Sequence, residues 1–319
     1  MEKRVRLAKW FATATAIGMF IVLLMGARVT ATGSGEGCGN DWPLCNGTWL
    51  PADTYESLTE YSHRFVTGIE GILVLVTTIL TWPMRRRHRS FTLLVPSMAF
   101  TLVLQSLMGA AAVRWPTSAE VMATHFGISL ICLASAALVA RVLTQAERPG
   151  DSASSGDISP GFRLYAAATI AMSVVVAYAG AYVRHTDSEL ACTSWPTCDG
   201  QLVPSFDGPQ GIQTMHRLAA LAISLMVVGL VASTWKLRET RPDLLKLAVG
   251  ALVVVLAQSI VGRTVINSGL ALMATLSHAG LMAILFVILC ETTRSVWPAS
   301  QPRSAESRHS VVPTPAPGD

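Results

Sequence analysis

Eight separate runs of about 20 apolar residues constrain this chain more than any other feature. That is the length a helix needs to cross roughly 30 Å of hydrocarbon at 1.5 Å per residue. The runs lie near residues 10–29, 65–83, 91–113, 121–140, 164–183, 216–235, 244–262 and 270–290. Lipid offers a backbone no hydrogen-bond partners, so each run must satisfy its own N–H and C=O groups as a helix. The expected fold class is therefore all-α, a polytopic membrane protein of eight transmembrane helices. Composition agrees: 51% of the 319 residues are hydrophobic and only 14% charged, where a soluble domain carries roughly 25% charged residues. Too few charges remain to coat a soluble globule, which excludes a cytosolic enzyme. A disordered or fibrous chain would need high net charge or Pro- and Gly-rich repeats. With a net charge of +4 and no basic block interleaved with aromatics, nucleic acid is not an expected partner.

Lys and Arg fix the expected orientation. Lys3, Arg4, Arg6 and Lys9, then Arg85, Arg86, Arg87 and Arg89, then Arg141, Arg148 and Arg163 fall on one side of the spans. Lys236, Arg238, Arg241, Lys246, Arg294, Arg303 and Arg308 fall on the same side, making 18 of 24 basic residues. The positive-inside rule makes this side, with both termini, cytoplasmic. The other six, Arg28, Arg64, Arg114, Arg184, Arg217 and Arg263, sit at outer helix ends. There they either meet acidic groups of a ligand or snorkel to lipid headgroups. Arg64 and Arg217, each beside a histidine, are the expected cofactor contacts. The first run has the basic start of a signal peptide, but its length and the repeat described next make it a helix. Residues 295–319, rich in Pro, Ser and Arg, read as a disordered cytoplasmic tail, and so does the inner loop around 150–159.

Shifting the chain by 153 residues superimposes its unusual residues. Trp42, Pro43, Cys45, Gly47 and Pro51 meet Trp195, Pro196, Cys198, Gly200 and Pro204. His63 and Arg64 meet His216 and Arg217; Gln105, Ser106 and Gly109 meet Gln258, Ser259 and Gly262; His125 meets His278. Such matches at one offset imply two homologous four-helix bundles, residues 1–145 and 164–294, joined by a cytoplasmic linker over 146–163. An even number of spans per unit gives both the same orientation, related by a pseudo-two-fold axis along the membrane normal.

Of seven histidines, His88 and His309 lie in basic cytoplasmic stretches, and His185, in an outer loop, has no assigned role. His63, His125, His216 and His278 occur one each near the outer ends of the even-numbered spans. An ionisable side chain within a span is costly and faces the bundle interior, which favours function over packing. Two imidazoles per bundle suit a six-coordinate heme iron, one on each face of the porphyrin. Zinc would gather three or four ligands including Cys or carboxylate; a proton relay is the other reading. The halves differ at Glu60, one turn before His63, where the duplicate has Gln213. Glu60 either caps the start of its helix through the dipole or gives one half acid–base or charge-stabilising chemistry that the other lacks.

Four of six cysteines form close pairs in outer loops: Cys38 with Cys45 in GCGNDWPLCNG, and Cys192 with Cys198 in ACTSWPTCDG. Disulfides are permitted there, and loops so short add roughly 2 to 2.5 kcal/mol in the chain-entropy model. The second pair reads as a staple over its bundle. The first, beside Glu60, reads equally as a staple or as a dithiol that cycles and passes electrons. Cys132 and Cys290 lie off the repeat register within spans and read as packing residues.

Taken together these residues resemble the heme A synthases of aerobic bacteria and mitochondria. The resemblance covers residues 10–292: two four-helix repeats, the GCGNDWPLCNG loop, EYSHR from Glu60 to Arg64, His125 in ATHFG, the ACTSWPTCDG loop, His216 in TMHRL and His278 in LSHAG. It implies an enzyme that oxidises a porphyrin methyl of heme O to a formyl, giving heme A for terminal oxidases. It also implies heme b ligated by His216 and His278, and substrate heme beside His63 and His125 with Glu60 assisting the oxidation. The pair Cys38 and Cys45 takes a redox role by the same resemblance, and a heme O synthase and an electron-transfer partner are the implied associates in the membrane. The competing readings are a non-catalytic diheme cytochrome, which has no use for Glu60, and a heme transporter. Against the latter, the spans lack midplane breaks and the ligands cluster at one face.

Overall fold

A computed structural model describes residues 2–86, 88–146, 158–200 and 205–297. Eight long helices follow one another: α1 (Glu2–Ala31), α2 (Tyr55–Thr81), α3 (Phe91–Arg114), α4 (Ala119–Ala146), α5 (Pro160–His185), α6 (Gly208–Trp235), α7 (Pro242–Asn267) and α8 (Leu272–Val296). All eight are long and apolar enough to cross a membrane. A 3-10 turn, Trp82–Arg86, follows α2. No strand occurs among the described residues beyond one bridge between Cys45 and Thr48. The expectations placed on Arg87, Arg148, Arg303, Arg308, His309, Pro204 and most of the linker and tail lie outside the described residues.

The helices run further than the apolar runs that reveal them, because capping rather than hydrophobicity ends a helix. The second apolar run begins near residue 65, yet α2 begins at Tyr55. Thr54 is its N-cap, accepting from the Ser57 N–H at 3.3 Å, with Glu56 in the first turn. The added turns carry Glu60 and His63 into a continuous helix instead of leaving them at its mouth. In the other half Ser159 caps α5, accepting from the Phe162 N–H, and Pro160 occupies the first turn, where its missing N–H costs nothing.

Within the first half α1 packs on α2 and α4, and α3 on α2 and α4; within the second, α5 packs on α6 and α8, and α7 on α6 and α8. Between halves, α4 meets α5 and α8, and α1 meets α8. One core runs through this junction, including Met19, Leu130, Val176, Leu285 and Phe286. Lipid tails are as apolar as leucine, so close packing rather than the hydrophobic effect joins the helices. Gly280 of α8 lets Phe20 and Leu24 of α1 approach. Ile69, Ile72, Leu75 and Ile79 of α2, exposed, form a face suited to lipid. At the end bearing the termini, Arg294 holds Glu291 at 2.6 Å and the Gln145 amide oxygen at 2.8 Å, while Arg141 reaches Glu291 at 3.4 Å. This charged clasp ties α4 to α8.

Candidate functional site

The short connections after α1 and α5 and the first turns of α2 and α6 are built alike. In each, a Thr and Ser two residues apart share a hydroxyl hydrogen bond, Thr32 with Ser34 at 2.6 Å and Thr186 with Ser188 at 2.9 Å. In each, two cysteines are joined as a disulfide, Cys38–Cys45 and Cys192–Cys198. The separations are seven and six residues, so the repeat offset changes by one inside the loop. Upstream of that step Gly26 corresponds to Gly180. Downstream, Asn46 and Asp199 take the left-handed conformation at φ 49° and 51°, each before a glycine at φ 78° and 77°.

Glu60 and Gln213 anchor these loops in the same way. The buried Glu60 accepts the Cys38 N–H at 2.8 Å through Oε2, and its Oε1 pairs with Arg64. Gln213, equally buried, accepts the Cys192 N–H at 2.6 Å, and its own N–H donates to the Glu189 carbonyl at 2.5 Å. Arg64 also donates to the carbonyls of Asp41 and Leu44 at 2.7 and 2.8 Å. Arg217 donates to those of Ser194, Thr197 and Cys192 at 2.9, 2.8 and 3.2 Å. The dipole-cap reading of Glu60 fails on position: the residue lies in the second turn of α2, beyond the first-turn reach of that effect, and Thr54 holds the cap. Both arginines grip loop backbone and line the cavity behind it.

That cavity has a volume of about 1600 Å³, larger than the ~300–1,000 Å³ of a single-ligand pocket. His63, His125, His216 and His278 all line it, with Glu60 and Gln213 at its loop-covered end. The His216 and His278 rings face each other across 6.5 Å between centroids, at 76°. Two imidazoles that each bind one metal through a bond of ~2 Å place their ring centres roughly 6 Å apart, so this spacing fits a single ion held between them. His63 and His125 lie within electrostatic reach of each other. Nδ1 of His63, His216 and His278 is buried without a hydrogen-bond partner. The carbonyls of Val176 and Gln258 lie beside the last two rings, where a small ring rotation gives Nδ1–H an acceptor and leaves Nε2 for a metal. Among the described residues no three His, Cys, Asp or Glu gather as one metal cluster.

Each of the four histidines is backed by a glycine on the preceding helix, and only two of these glycines stand out in the repeat. A Cβ at Gly26, Gly180, Gly109 or Gly262 would lie 3.2, 2.8, 3.8 or 3.1 Å from Cε1 of His63, His216, His125 or His278. Gly180→Ala is expected to push His216 off its axis. Overpacking of this kind costs ~1–3 kcal/mol, so a ligand held through His216 is expected to be retained on the order of tenfold less. Gly109→Ala, in ordinary contact, leaves retention unchanged. Equal retention by the two variants, read by titration with a probe metalloporphyrin, would refute the backing role. His185, without a role by sequence, lines the same cavity. Arg184 pairs with Glu189 and donates to the Thr30 carbonyl at 2.9 Å, linking α5 to the end of α1.

Eight membrane-type helices around a large cavity lined by four histidines define a class: a multi-pass membrane protein with an imidazole-lined internal site. Residues 9–290 match the family model described as cytochrome oxidase assembly protein, COX15-CtaA, and the chain belongs to that family. It is similar to proteins named heme A synthase from Halalkalibacterium halodurans (37% identical; 89% of this chain, 95% of the relative) and Geobacillus kaustophilus (40%; 89% and 90%). The heme A synthase of Bacillus licheniformis is 40% identical over 86% of this chain and 91% of its own.

Proposed function

We propose that this chain is an oxidoreductase that converts heme O to heme A by oxidising a porphyrin methyl group to a formyl. The observation that carries the reading, beside family membership, is the pairing of two alike imidazole sites with a carboxylate in one and an amide in the other. The substrate heme then sits in the first half, His63 and His125 flanking its iron, and Glu60 faces the reacting edge. Held by the Cys38 N–H and Arg64, the Glu60 carboxylate is oriented to take the proton leaving the methyl carbon or to stabilise positive charge developing there. His216 and His278 hold a resident heme b, which when bound supplies one-electron redox chemistry. Arg64 and Arg217, on the cavity wall, offer positive charge to propionates from beneath the loops.

The domain division follows: residues 1–145 take the substrate heme and 164–294 the heme b. The reciprocal contacts of α1 with α8 and of α5 with α4 support a pseudo-two-fold axis along the membrane normal. We assign the protein to the bacterial plasma membrane with both termini cytoplasmic, on the distribution of its basic residues. Both cysteine pairs are buried, which suits staples. Redox cycling of Cys38–Cys45 would pass through the loop that Glu60 anchors. A heme O synthase and an electron-transfer protein are the fitting partners.

The test is to purify the protein from cells that make heme O, extract the pigments and identify them. Heme A together with heme b supports the reading. Two permanently bound hemes without heme A would make the chain a diheme cytochrome instead.

A further inference from the structure

The first half carries a buried carboxyl that the proposed oxidation does not use. Glu70 lies two turns beyond His63 on α2, ~10 Å along the axis toward the end bearing the termini. It is 1% exposed, and neither carboxyl oxygen has a hydrogen-bond partner. The carboxyl rests against α1 at Gly18, where any side chain would overlap it.

The repeat supplies an internal control. Beyond His63 the buried stripe of α2 reads Glu70, Val74, Thr77, Thr81, whereas beyond His216 the equivalent stripe of α6 reads Ile223, Val227, Leu230, Thr234. Opposite Ile223 the position equivalent to Gly18 is Met172, so a glycine–glutamate contact in one half replaces a methionine–isoleucine pair in the other. On α4 the difference recurs: Ser129, Cys132 and Ser135 stand where α8 has Met282, Leu285 and Ile288. An apolar solution to the same packing thus exists in the same molecule, and the polar one is kept despite the cost of a carboxyl within a span.

Polar groups lie on both sides of Glu70 along the helices, in two separate hydrogen-bonded sets. Ser129 donates to Gln105 at 2.6 Å, and both line the histidine cavity. Cys132, one turn along α4 from Ser129, is within electrostatic reach of Glu70. Past Glu70, Thr77 and Thr15 share a hydroxyl hydrogen bond of 2.8 Å, and Thr81 donates to the Thr77 carbonyl at 2.7 Å.

We propose that Glu70 is a proton-exchanging carboxyl, carrying protons between the His63 and His125 side of the cavity and the membrane face that bears the termini. The step is proton transfer alone: an O–H bond forms on the Glu70 carboxylate as a proton arrives and breaks as it leaves, and no electron moves there. The proposal rests on the substrate being oxidised in the first half. Methyl-to-formyl oxidation releases protons if the oxygen comes from water and consumes them if it comes from dioxygen, so a proton path is needed in either case. The second half, holding a redox centre, has no such need: it keeps Gln258, Thr169 and Thr234 but has Met282, Leu285, Ile223 and Leu230 in place of Ser129, Cys132, Glu70 and Thr77.

The experiment has two arms. Purified protein is treated with dicyclohexylcarbodiimide, an apolar reagent for protonated carboxyls, and mapped by mass spectrometry, with infrared spectra recorded in H2O and D2O. Labelling of Glu70 and a deuterium-sensitive carboxylic C=O band, both lost in Glu70→Gln, are expected. Absence of both in the folded wild type overturns the proposal. In the second arm heme A formation falls roughly tenfold or more in Glu70→Gln, with unchanged heme spectra and partial recovery in Glu70→Asp. The double variant Gly18→Met, Glu70→Ile, which copies the packing of the other half, gives the same loss. Wild-type turnover in either folded variant overturns the proposal. If wild-type protein makes no heme A, the oxidation reading fails, and the labelling arm still decides whether Glu70 exchanges protons.

Discussion

Glu60→Gln is expected to abolish heme A formation while leaving fold, disulfides and heme b intact. The second half already performs this substitution: Gln213 accepts the Cys192 N–H at 2.6 Å just as Glu60 accepts the Cys38 N–H at 2.8 Å. An amide at position 60 therefore keeps the loop anchor and removes only the charge, the pairing with Arg64 and the ability to take a proton. Loss of a positioned general base costs on the order of 10² to 10⁴ in rate, enough to leave unreacted heme O or an alcohol intermediate as the extracted pigment. Heme A at wild-type level in a Glu60→Gln preparation would refute the role assigned to this residue. The reciprocal change, Gln213→Glu, is expected to leave the rate within a few-fold.

His278→Ala is expected to remove the resident low-spin heme selectively. The His216 and His278 ring centres stand 6.5 Å apart, a separation that fits one metal ion between the two imidazoles. Truncating one would remove half of the proposed ligand set, so a heme b held there would lose its low-spin spectrum and be retained less. Substrate heme at His63 and His125 keeps both its neighbours, so the variant binds it but cannot turn over. Exogenous imidazole, small enough for the vacated space, is expected to restore the low-spin bands in part. An unaltered low-spin spectrum would show that the resident heme lies elsewhere.

Much of this was legible in the residues because a membrane and a duplication both leave simple marks. Apolar runs locate every helix, and the 153-residue offset pairs the histidines, the Trp-Pro dipeptides and the contrast of Glu60 with Gln213. Helix starts were not legible, since Tyr55 follows the Thr54 cap and Gly208 opens α6 with Pro209 in its first turn, both outside the apolar runs. Gly26 and Gly180 escaped because the offset steps by one inside the disulfide loop, which hid their correspondence. Glu70 sits inside an otherwise apolar run, where a single carboxylate does not interrupt the hydropathy that identifies a span. Its meaning emerges only against Ile223 and Gly18.

The interchangeable anchors at Glu60 and Gln213 also bear on how such a molecule arises. Glutamate and glutamine codons differ by a single base, and here either side chain holds its loop by accepting the same backbone N–H. Position 60 could therefore change its chemistry without a detour through a misfolded ancestor. Between two equivalent bundles, a single base change is enough to exchange the chemistry at this position while the loop anchor is kept.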